Sequence, residues 1–427
     1  MRTIVSKIKK VWDSGTVKTL GIFAGGNLLV SIIGGVGSLL QARWVAPEVF
    51  GEFQKYSILT GYFAIGTIFV QDGFARQFPY LLGKKEREKA LEIASTAKWW
   101  YLFLVLIYSL FFGGLTFWSA LCGNWRAVFG WGAQVTAVWT GVYGAYQGVL
   151  YRTSSEFRRL SYNNLIGSVL GFLALALVKI LGYWGVALRF MWNSVVNVVV
   201  NHHYLPVKVK ATFNKAGLVA LAKMSLPLAG PGYIQTSFLS ASVAALILKR
   251  FGQESLGYYG VAIMFQGFAM TLTNALHQIF SVRMVTRYGE THDAWGCIRY
   301  GFQAALISFI LSLGIAVLFC IGTPFLIHFL MPKYVSATGM VSILVFVLPL
   351  AALALPLQML KIQLFYSSFL MVSLIKAVAI FGTAFFFAHT LNQFALCVIG
   401  GETLFLLAGY ALLFLNNTPR TRQKKNE

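Results

Sequence analysis

Residues 19–53 read TLGIFAGGNLLVSIIGGVGSLLQARWVAPEVFGEF. Up to Gln41 this stretch carries no charged side chain, and it is longer than the roughly 20 apolar residues that cross the hydrocarbon core of a bilayer. It is also too long for the apolar part of a signal peptide, and no clear small-residue cleavage site follows it. The stretch therefore predicts a first membrane span that stays in the protein.

The composition of the whole chain fits a protein made mostly of such spans. Of its 427 residues, 57% are hydrophobic and 11% are charged, whereas soluble domains carry about 25% charged residues. The charge is strongly basic, with 35 Lys and Arg against 13 Asp and Glu. Nucleic-acid binding needs a solvated basic face, and almost no segment is long enough to supply one. The excess indicates an anionic membrane surface or an anionic substrate instead.

Twelve apolar segments predict an all-α polytopic membrane protein with about 12 transmembrane helices. The approximate segments are 19–41, 54–74, 98–118, 126–149, 160–181, 183–203, 219–248, 256–279, 299–321, 336–358, 363–388 and 391–416. With both termini in the cytoplasm, 26 Lys and Arg lie in cytoplasmic segments and 7 lie on the other side. Membrane proteins show this asymmetry, so it supports both the number of spans and the orientation.

A polar connection from His202 to Gly217 divides the spans into six and six. We therefore expect two six-helix bundles, formed by residues 1–207 and 208–427. Because each half has an even number of spans, both halves enter the membrane from the same side. The halves are then expected to be parallel repeats, as in transporters that bind their substrate between two bundles.

The two halves also share local features at matching places. A Glu-x-x-Gly pattern follows the first span as Glu48–Gly51 and the seventh span as Glu254–Gly257. The opening span of each half is interrupted, by Gly25-Gly26 in one and by Pro227 and Pro231 in the other. Interrupted spans at matching places indicate a binding or gating region. Close helix packing and an ordinary proline kink are the alternative.

One polar stripe runs along the predicted sixth span. Its members are Arg189, Asn193, Asn197 and Asn201, each four residues apart, so they stay close to one face of a helix. Lipid cannot satisfy these side chains, and the stripe must face protein or water. Two interpretations stay open: a water-filled lumen that binds substrate, and hydrogen bonds that only hold the bundle together.

A second polar face lies on the predicted fourth span, with Thr136, Thr140, Tyr143 and Gln147 on one side of the helix. Sugar hydroxyl groups need mixed donors and acceptors and aromatic rings to stack on, and this face offers both. The face is therefore a candidate for substrate binding. Ser and Thr also serve as packing contacts between membrane helices, which is the alternative.

Two charged residues, Lys376 and Glu402, lie near the middle of the last two spans. Ionisable groups at this depth are costly and mark functional sites. Lys376 is a candidate cation for a pyrophosphate or an acidic sugar, and Glu402 is a candidate coupling residue that responds to a proton or a sodium ion. A structural ion pair between the two is the alternative.

Asp72 and Arg76 are four residues apart at the cytoplasmic end of the second span. This spacing predicts a pair on one helix face, with a cytoplasmic gate as the second interpretation.

The sequence lacks the patterns that build enzyme and metal sites. Its four cysteines, Cys122, Cys297, Cys320 and Cys397, are scattered, and its histidines do not cluster. No hydrolase, metalloprotease or nucleotide-binding motif occurs. We therefore expect no metal, no cofactor and no catalytic residue.

Four short stretches resemble those of one family. They are Ala42–Phe53, Gln71–Arg76, Ser225–Leu228 and Pro332–Ala337, which read ARWVAPEVFGEF, QDGFAR, SLPL and PKYVSA. They are similar to stretches of the Wzx-type polysaccharide flippases in the multidrug/oligosaccharidyl-lipid/polysaccharide exporter (MOP) superfamily. The resemblance implies a V-shaped pair of six-helix bundles with a central cavity.

The resemblance also implies a function. Flippases of this type move undecaprenyl-pyrophosphate-linked repeat units across the bacterial inner membrane, for O-antigen, lipopolysaccharide or another surface polysaccharide. The implied partners are the lipid-linked glycan, membrane lipids, a coupling proton or sodium ion, and polymerase and chain-length proteins. Two alternatives remain, a cation-coupled drug or metabolite antiporter and a membrane polysaccharide polymerase or ligase. The first span has no acidic residue, and no long loop offers a catalytic domain.

Overall fold

The computed structural model describes residues 15–154 and 156–417, and within them the chain is helical and forms no β-strand. The α-helices of this part are α1 (Gly15–Trp44), α2 (Pro47–Phe63), α3 (Gln71–Gly83), α4 (Arg87–Leu121), α5 (Trp125–Val138), α6 (Gly144–Thr153), α7 (Phe157–Leu173), α8 (Leu175–Leu181), α9 (Tyr183–His203), α10 (Lys215–Tyr233), α11 (Leu239–Thr291), α12 (Ala294–Leu330), α13 (Thr338–Leu344), α14 (Val347–Leu353), α15 (Gln358–Ile362), α16 (Tyr366–Phe387) and α17 (Leu391–Asn416). Several are joined by 3₁₀ helices at Ala64–Phe69, Pro332–Ala337 and Leu355–Leu357, or by π-helices at Trp139–Tyr143 and Ile234–Phe238. A helix satisfies its own backbone hydrogen bonds, as a chain surrounded by lipid requires.

These helices confirm the predicted multi-pass membrane protein with about twelve spans. Eight helical stretches of the described residues are long and apolar enough to cross a bilayer. One of them, Lys215–Thr271, contains the seventh predicted span and most of the eighth. Leu28–Trp44 adds a shorter apolar helix at the first span. The fourth and sixth predicted spans are helical but are not among these eight stretches. They are the spans that carry the polar faces described above. The basic terminal segments lie outside the described residues, so the orientation stays a prediction.

Helix α11 is broken at Gly252, between the seventh and eighth spans. The backbone of this residue has φ +85° and ψ −177°, a conformation that is essentially confined to glycine. The chain changes direction here while regular helix continues on both sides. The seventh and eighth predicted spans are therefore two helical segments that meet at Gly252 without a loop between them.

The described helices pack into two compact units. The first unit holds the residues up to Trp44 together with Phe63–Leu226, and the second holds Val45–Tyr62 together with the chain from Pro227 onward. Val45–Tyr62 thus packs with C-terminal helices, although its neighbours along the chain belong to the first unit. The predicted bundles of residues 1–207 and 208–427, and their relation as repeats, stay predictions.

Each unit contains helices that touch several others. In the first unit, α9 packs against α5, α7 and α8, and α1 packs along α7. In the second unit, α16 packs along α17, and α12 packs against α11, α13 and α14. Apolar burial does not drive helices together in lipid, so these contacts depend on close fit, small residues and hydrogen bonds. The polar stripe of α9 and the pair formed by Lys376 and Glu402 lie on these contact faces.

Candidate functional site

Lys376 and Glu402 form an ion pair inside the second unit. Lys376 lies in the middle of α16 and Glu402 in the middle of α17, and Lys376 Nζ is 2.5 Å from a carboxylate oxygen of Glu402. Both side chains are largely buried, with 12% and 13% of their surface exposed. Lys376 Nζ also lies 5.3 Å from the centroid of the Phe405 ring. The structure thus contains the ion pair that the sequence left open, while the substrate-binding and coupling roles stay predictions.

A second polar contact lies one helical turn from this pair. Gln235 Nε2 donates to Ser373 Oγ at 2.7 Å, and Ser373 Oγ donates to the Phe369 carbonyl at 2.7 Å. Gln235 belongs to the π-helix Ile234–Phe238, and π-helices occur frequently at functional sites. Gln235 could not be predicted from the sequence, because one glutamine in an apolar span gives no periodic signal. The nearest feature that the sequence singles out is Pro231, which interrupts the same predicted span.

The polar stripe of the sixth span faces α7. A methyl group added at Gly171 would lie 1.7 Å from Asn193 Oδ1, and one added at Gly167 would lie 2.7 Å from Asn197 Oδ1. The two asparagines therefore fill the space that glycines leave on the neighbouring helix. This contact corresponds to the helix-holding interpretation, and substrate binding by Asn193 and Asn197 stays a prediction.

The stripe ends in a small hydrogen-bond network around Asn201. Asn163 Nδ2 donates to Asn201 Oδ1 at 3.2 Å and to the Tyr151 hydroxyl at 2.9 Å. The Tyr151 hydroxyl in turn donates to the Asn201 carbonyl at 3.0 Å. These bonds join α6, α7 and α9 and satisfy polar groups that lipid cannot satisfy.

Arg189 begins the stripe and connects three helices. Its Nη1 donates to Oε1 of Gln41 in α1, and its Nε donates to the Gly171 carbonyl in α7 at 3.4 Å. A methyl group added at Gly37 would lie 3.0 Å from its Nη2. Both hydrogen-bond acceptors are neutral, so they do not cancel the charge of the guanidinium group. Gln41 could not be predicted as a partner of Arg189, because its only distinguishing feature in the sequence is a polar side chain at the end of an apolar run.

Arg189→Leu is expected to lower the thermal unfolding midpoint of the detergent-solubilised protein by several degrees. The change leaves the Gln41 side chain and the Gly171 carbonyl without this donor, and an unpaired buried polar group costs about 1–3 kcal/mol. Arg158→Leu is the control, because Arg158 is exposed on α7 and lies over the ring of Tyr162. Equal midpoints for the two variants would show that the contacts of Arg189 do not hold the unit together.

The polar face of the fourth span is turned toward α9. Thr140 Oγ1 and Gln147 Nε2 each donate to a backbone carbonyl of α9 at 3.1 Å. The Tyr143 hydroxyl lies 2.8 Å from Nδ1 of His202, a partner that the sequence analysis did not identify. Thr140 and Tyr143 belong to the π-helix Trp139–Tyr143. The face thus joins helices, and its role in binding sugar stays a prediction.

The predicted gate residues lie at the start of α3. Asp72 is half-buried in the first turn, and Arg76 is exposed one turn later. Between them, the Gly73 N–H donates to Oγ of the buried Ser225 at 2.6 Å. This bond joins two of the stretches that resemble the flippases. The gate role stays a prediction.

Other flippase-like stretches meet where α2 crosses α11. A methyl group added at Gly51 would lie 1.8 Å from a backbone carbonyl oxygen of α11, and one added at Gly257 would lie 2.0 Å from the Pro47 carbonyl oxygen. The glycine of each Glu-x-x-Gly pattern, Gly51 in α2 and Gly257 in α11, thus allows the backbone of the other helix to approach closely. The hydroxyl of the buried Tyr334 donates to the Val45 carbonyl beside this crossing at 3.3 Å.

Metal ligation finds no support in the part of the chain that the structure describes. No group of three or more His, Cys, Asp or Glu side chains is placed there to hold an ion. The candidate residues deepest in the helices are two cations, Arg189 and Lys376, one carboxylate, Glu402, and neutral amide and hydroxyl groups.

The fold is similar to that of solved membrane transporters. An inward-facing multidrug resistance transporter of the MATE family, in the MOP superfamily, has a TM-score of 0.70 at 15% identity, covering 92% of this chain and 98% of its own. An outward-facing MATE family transporter gives 0.70 at 14% identity, covering 93% and 95%. A MOP superfamily transporter from Pyrococcus furiosus, described by a binding pocket of reverse polarity that suggests a different function, gives 0.66 at 14% identity, covering 93% and 95%. The chain has the fold of these membrane transporters.

The family follows from the sequence match. Residues 40–294 match the model of the polysaccharide biosynthesis protein family, and the chain belongs to that family. No curated protein matches the chain at a significant level. Family and fold together confirm the resemblance drawn from the four short stretches, three of which lie inside the matched residues.

Proposed function

We propose that the protein is a flippase for undecaprenyl-pyrophosphate-linked oligosaccharide repeat units, moving them from the cytoplasmic to the periplasmic leaflet of the bacterial inner membrane. The observation that carries the proposal is the fold of MOP-superfamily transporters in a chain of a polysaccharide biosynthesis family. A glycan and a charged pyrophosphate cannot cross hydrocarbon unaided, because unpaired polar and charged groups are very costly there. Polysaccharide synthesis from such a precursor therefore requires a membrane protein that moves it across the bilayer.

The charges inside the helices support an anionic substrate. Arg189 donates to neutral oxygens, and Lys376 is paired with Glu402. These embedded groups carry two positive charges against one negative charge. Such a balance attracts a pyrophosphate head group more strongly than an organic cation.

The mechanism that fits this substrate is alternating access. Arg189 in the first unit and Lys376 in the second would each attract the negative charges of the substrate, and the sugars would bind the face formed by Thr140, Tyr143 and Gln147. Glu402 would couple the movement to a proton or sodium gradient. The released repeat units would then pass to polymerase and chain-length proteins that build O-antigen, lipopolysaccharide or another surface glycan.

A cation-coupled drug or metabolite antiporter is the alternative that the fold match to multidrug resistance transporters favours. An exporter of organic cations is expected to present a carboxylate to its substrate. The first span, residues 19–41, has none, and the carboxylate of Glu402 is engaged by Lys376. The observed charges therefore favour the flippase.

Deletion of the gene in its host is expected to remove the surface polysaccharide and to trap intact lipid-linked repeat units at the cytoplasmic face. The wild-type gene should restore the polysaccharide, whereas Arg189→Ala and Lys376→Ala should restore little, because each removes a cation from the proposed path. Arg158→Ala, at an exposed position, is the control and should restore it fully.

Two other outcomes would assign a different function. Normal polysaccharide together with altered sensitivity to cationic drugs would identify an antiporter. Single repeat units that reach the periplasm but are not joined or attached would identify a polysaccharide polymerase or ligase.

A further inference from the structure

The Lys376–Glu402 pair points away from the outer faces of its two helices. On α16 the exposed apolar side chains include Leu374 and Val378, which are 47% and 69% exposed. Lys376 is two residues from each of them, and two residues correspond to about 200° around a helix. Lys376 therefore lies on the side of α16 opposite this exposed apolar face.

Glu402 has the same relation to its own helix. On α17, Leu404 and Leu407 are 45% and 62% exposed, and they lie within one turn of each other on the outer face. Glu402 is two residues from Leu404, which again places it on the opposite side. Both charged groups nevertheless keep a small exposed fraction, 12% for Lys376 and 13% for Glu402.

Few other charged side chains lie on the described elements that pack most extensively against the helices of the pair. The short helices packed against α16 and α17, namely α13 to α15, the 3₁₀ helix Leu355–Leu357 and the π-helix Ile234–Phe238, carry one charged side chain, Lys361. Its Nζ lies over the ring of Phe369, two turns from Lys376. From α11, Arg250 donates to the Ala384 carbonyl, two turns away in the other direction. Both neighbours are cations, so Glu402 is the carboxylate that competes for Lys376.

We propose that Glu402 is an internal substitute for the substrate's phosphate. It occupies Lys376 in the empty protein, and the diphosphate of the substrate displaces it. The inference rests on the proposed function. A carboxylate and a phosphate both offer oxygens to an ammonium group as charge-assisted acceptors, so one can replace the other at short distance. An unpaired cation inside the helices is costly, and the substitute removes that cost whenever substrate is absent.

Competition between Glu402 and the diphosphate for Lys376 then sets the apparent affinity of the protein for its substrate. If the diphosphate binds only those protein molecules in which Lys376 is free, its apparent affinity is reduced in proportion to their share of the population. Removal of the carboxylate should therefore tighten the binding of the diphosphate and hinder its release. Tighter binding together with poorer transport is a combination that a purely structural ion pair would not produce.

The test measures binding of radiolabelled farnesyl diphosphate, a short prenyl diphosphate, to the full-length protein in detergent. Glu402→Gln is expected to bind it at least about tenfold more tightly than wild type. Lys376→Gln should bind it more weakly than wild type, and the double variant should match Lys376→Gln, because the gain requires the lysine. Farnesol, which lacks the diphosphate, should bind all variants alike.

Glu254→Gln is the matched control. It removes one negative charge from the same unit at a carboxylate that accepts a hydrogen bond from Tyr258, away from Lys376. Its affinity for farnesyl diphosphate should equal that of wild type. If Glu254→Gln and Glu402→Gln gain the same affinity for farnesyl diphosphate, the effect comes from net charge alone and the inference is overturned.

The outcomes separate this inference from the proposed function. If wild type prefers farnesyl diphosphate over farnesol but Glu402→Gln binds no more tightly, the internal substitute is wrong and the flippase stands. If the gain persists in the double variant, Lys376 is not the competing cation and the inference also fails. If wild type does not distinguish the diphosphate from the alcohol, the proposed function itself is contradicted.

Discussion

Lys376→Glu is expected to abolish polysaccharide export, and addition of Glu402→Lys to the same chain is expected to restore a substantial part of it. The single change places two carboxylates at a contact that is 2.5 Å long in the native pair. Breaking a buried pair by removing one partner costs about 3–5 kcal/mol, and like charges at this distance add to the cost. The double change restores one cation and one carboxylate on the facing helices.

The measurement is surface polysaccharide in the deletion host, with membrane-inserted protein quantified for each variant. Lys361→Glu is the matched control, because it reverses the charge of a lysine on the neighbouring helix α15, whose Nζ lies over the ring of Phe369 in α16. Normal export by Lys376→Glu would contradict a role of the ion pair in transport. So would a double variant, Lys376→Glu with Glu402→Lys, that is as inactive as Lys376→Glu at equal protein level.

Gly257→Ala is expected to lower the thermal unfolding midpoint by several degrees and to reduce export. The added methyl group would lie 2.0 Å from the Pro47 carbonyl oxygen, which is a backbone atom and cannot move aside like a flexible side chain. Helices α2 and α11 would have to separate, and overpacking of this kind costs about 1–3 kcal/mol. The measurement is a thermal scan of the detergent-solubilised protein together with the export assay.

Gly267→Ala supplies the matched comparison in the same helix. Gly267 is exposed, and a methyl group there would meet no atom within 4 Å. Alanine is a better helix former than glycine, so this variant should keep or slightly raise the midpoint. If the two alanine variants unfold at the same temperature, the close crossing of α2 and α11 does not hold this unit together.

The fold was predictable because the bilayer imposes a simple rule on the sequence. A run such as Thr19–Gln41 has one stable form in lipid, so length and polarity alone locate most spans. The break at Gly252 was not visible, since a glycine between two apolar runs is compatible with either a loop or a bent helix. The membership of Val45–Tyr62 in the second unit was also not predictable, because it depends on contacts between residues far apart in the sequence.

The candidate sites were predictable in composition but not in contacts. The spacing of Asn193 and Asn197 correctly required a partner that is not lipid, yet periodicity cannot tell a water-filled lumen from a neighbouring helix. The structure shows Gly171 and Gly167 opposite them. For Lys376 the sequence offered two interpretations, and only the three-dimensional contact with Glu402 shows that the ion pair forms.

The central claim, flipping of a pyrophosphate-linked glycan, is tested most directly in vesicles that contain only the purified protein. A fluorescent prenyl-pyrophosphate-linked oligosaccharide is placed in both leaflets, and a membrane-impermeant reductant then destroys the label in the outer leaflet. The account predicts that vesicles with wild-type protein lose nearly all fluorescence, whereas protein-free vesicles and those with Lys376→Glu keep the inner-leaflet share. Retention of that share by wild-type vesicles that nevertheless transport a cationic dye would contradict the account and identify an antiporter.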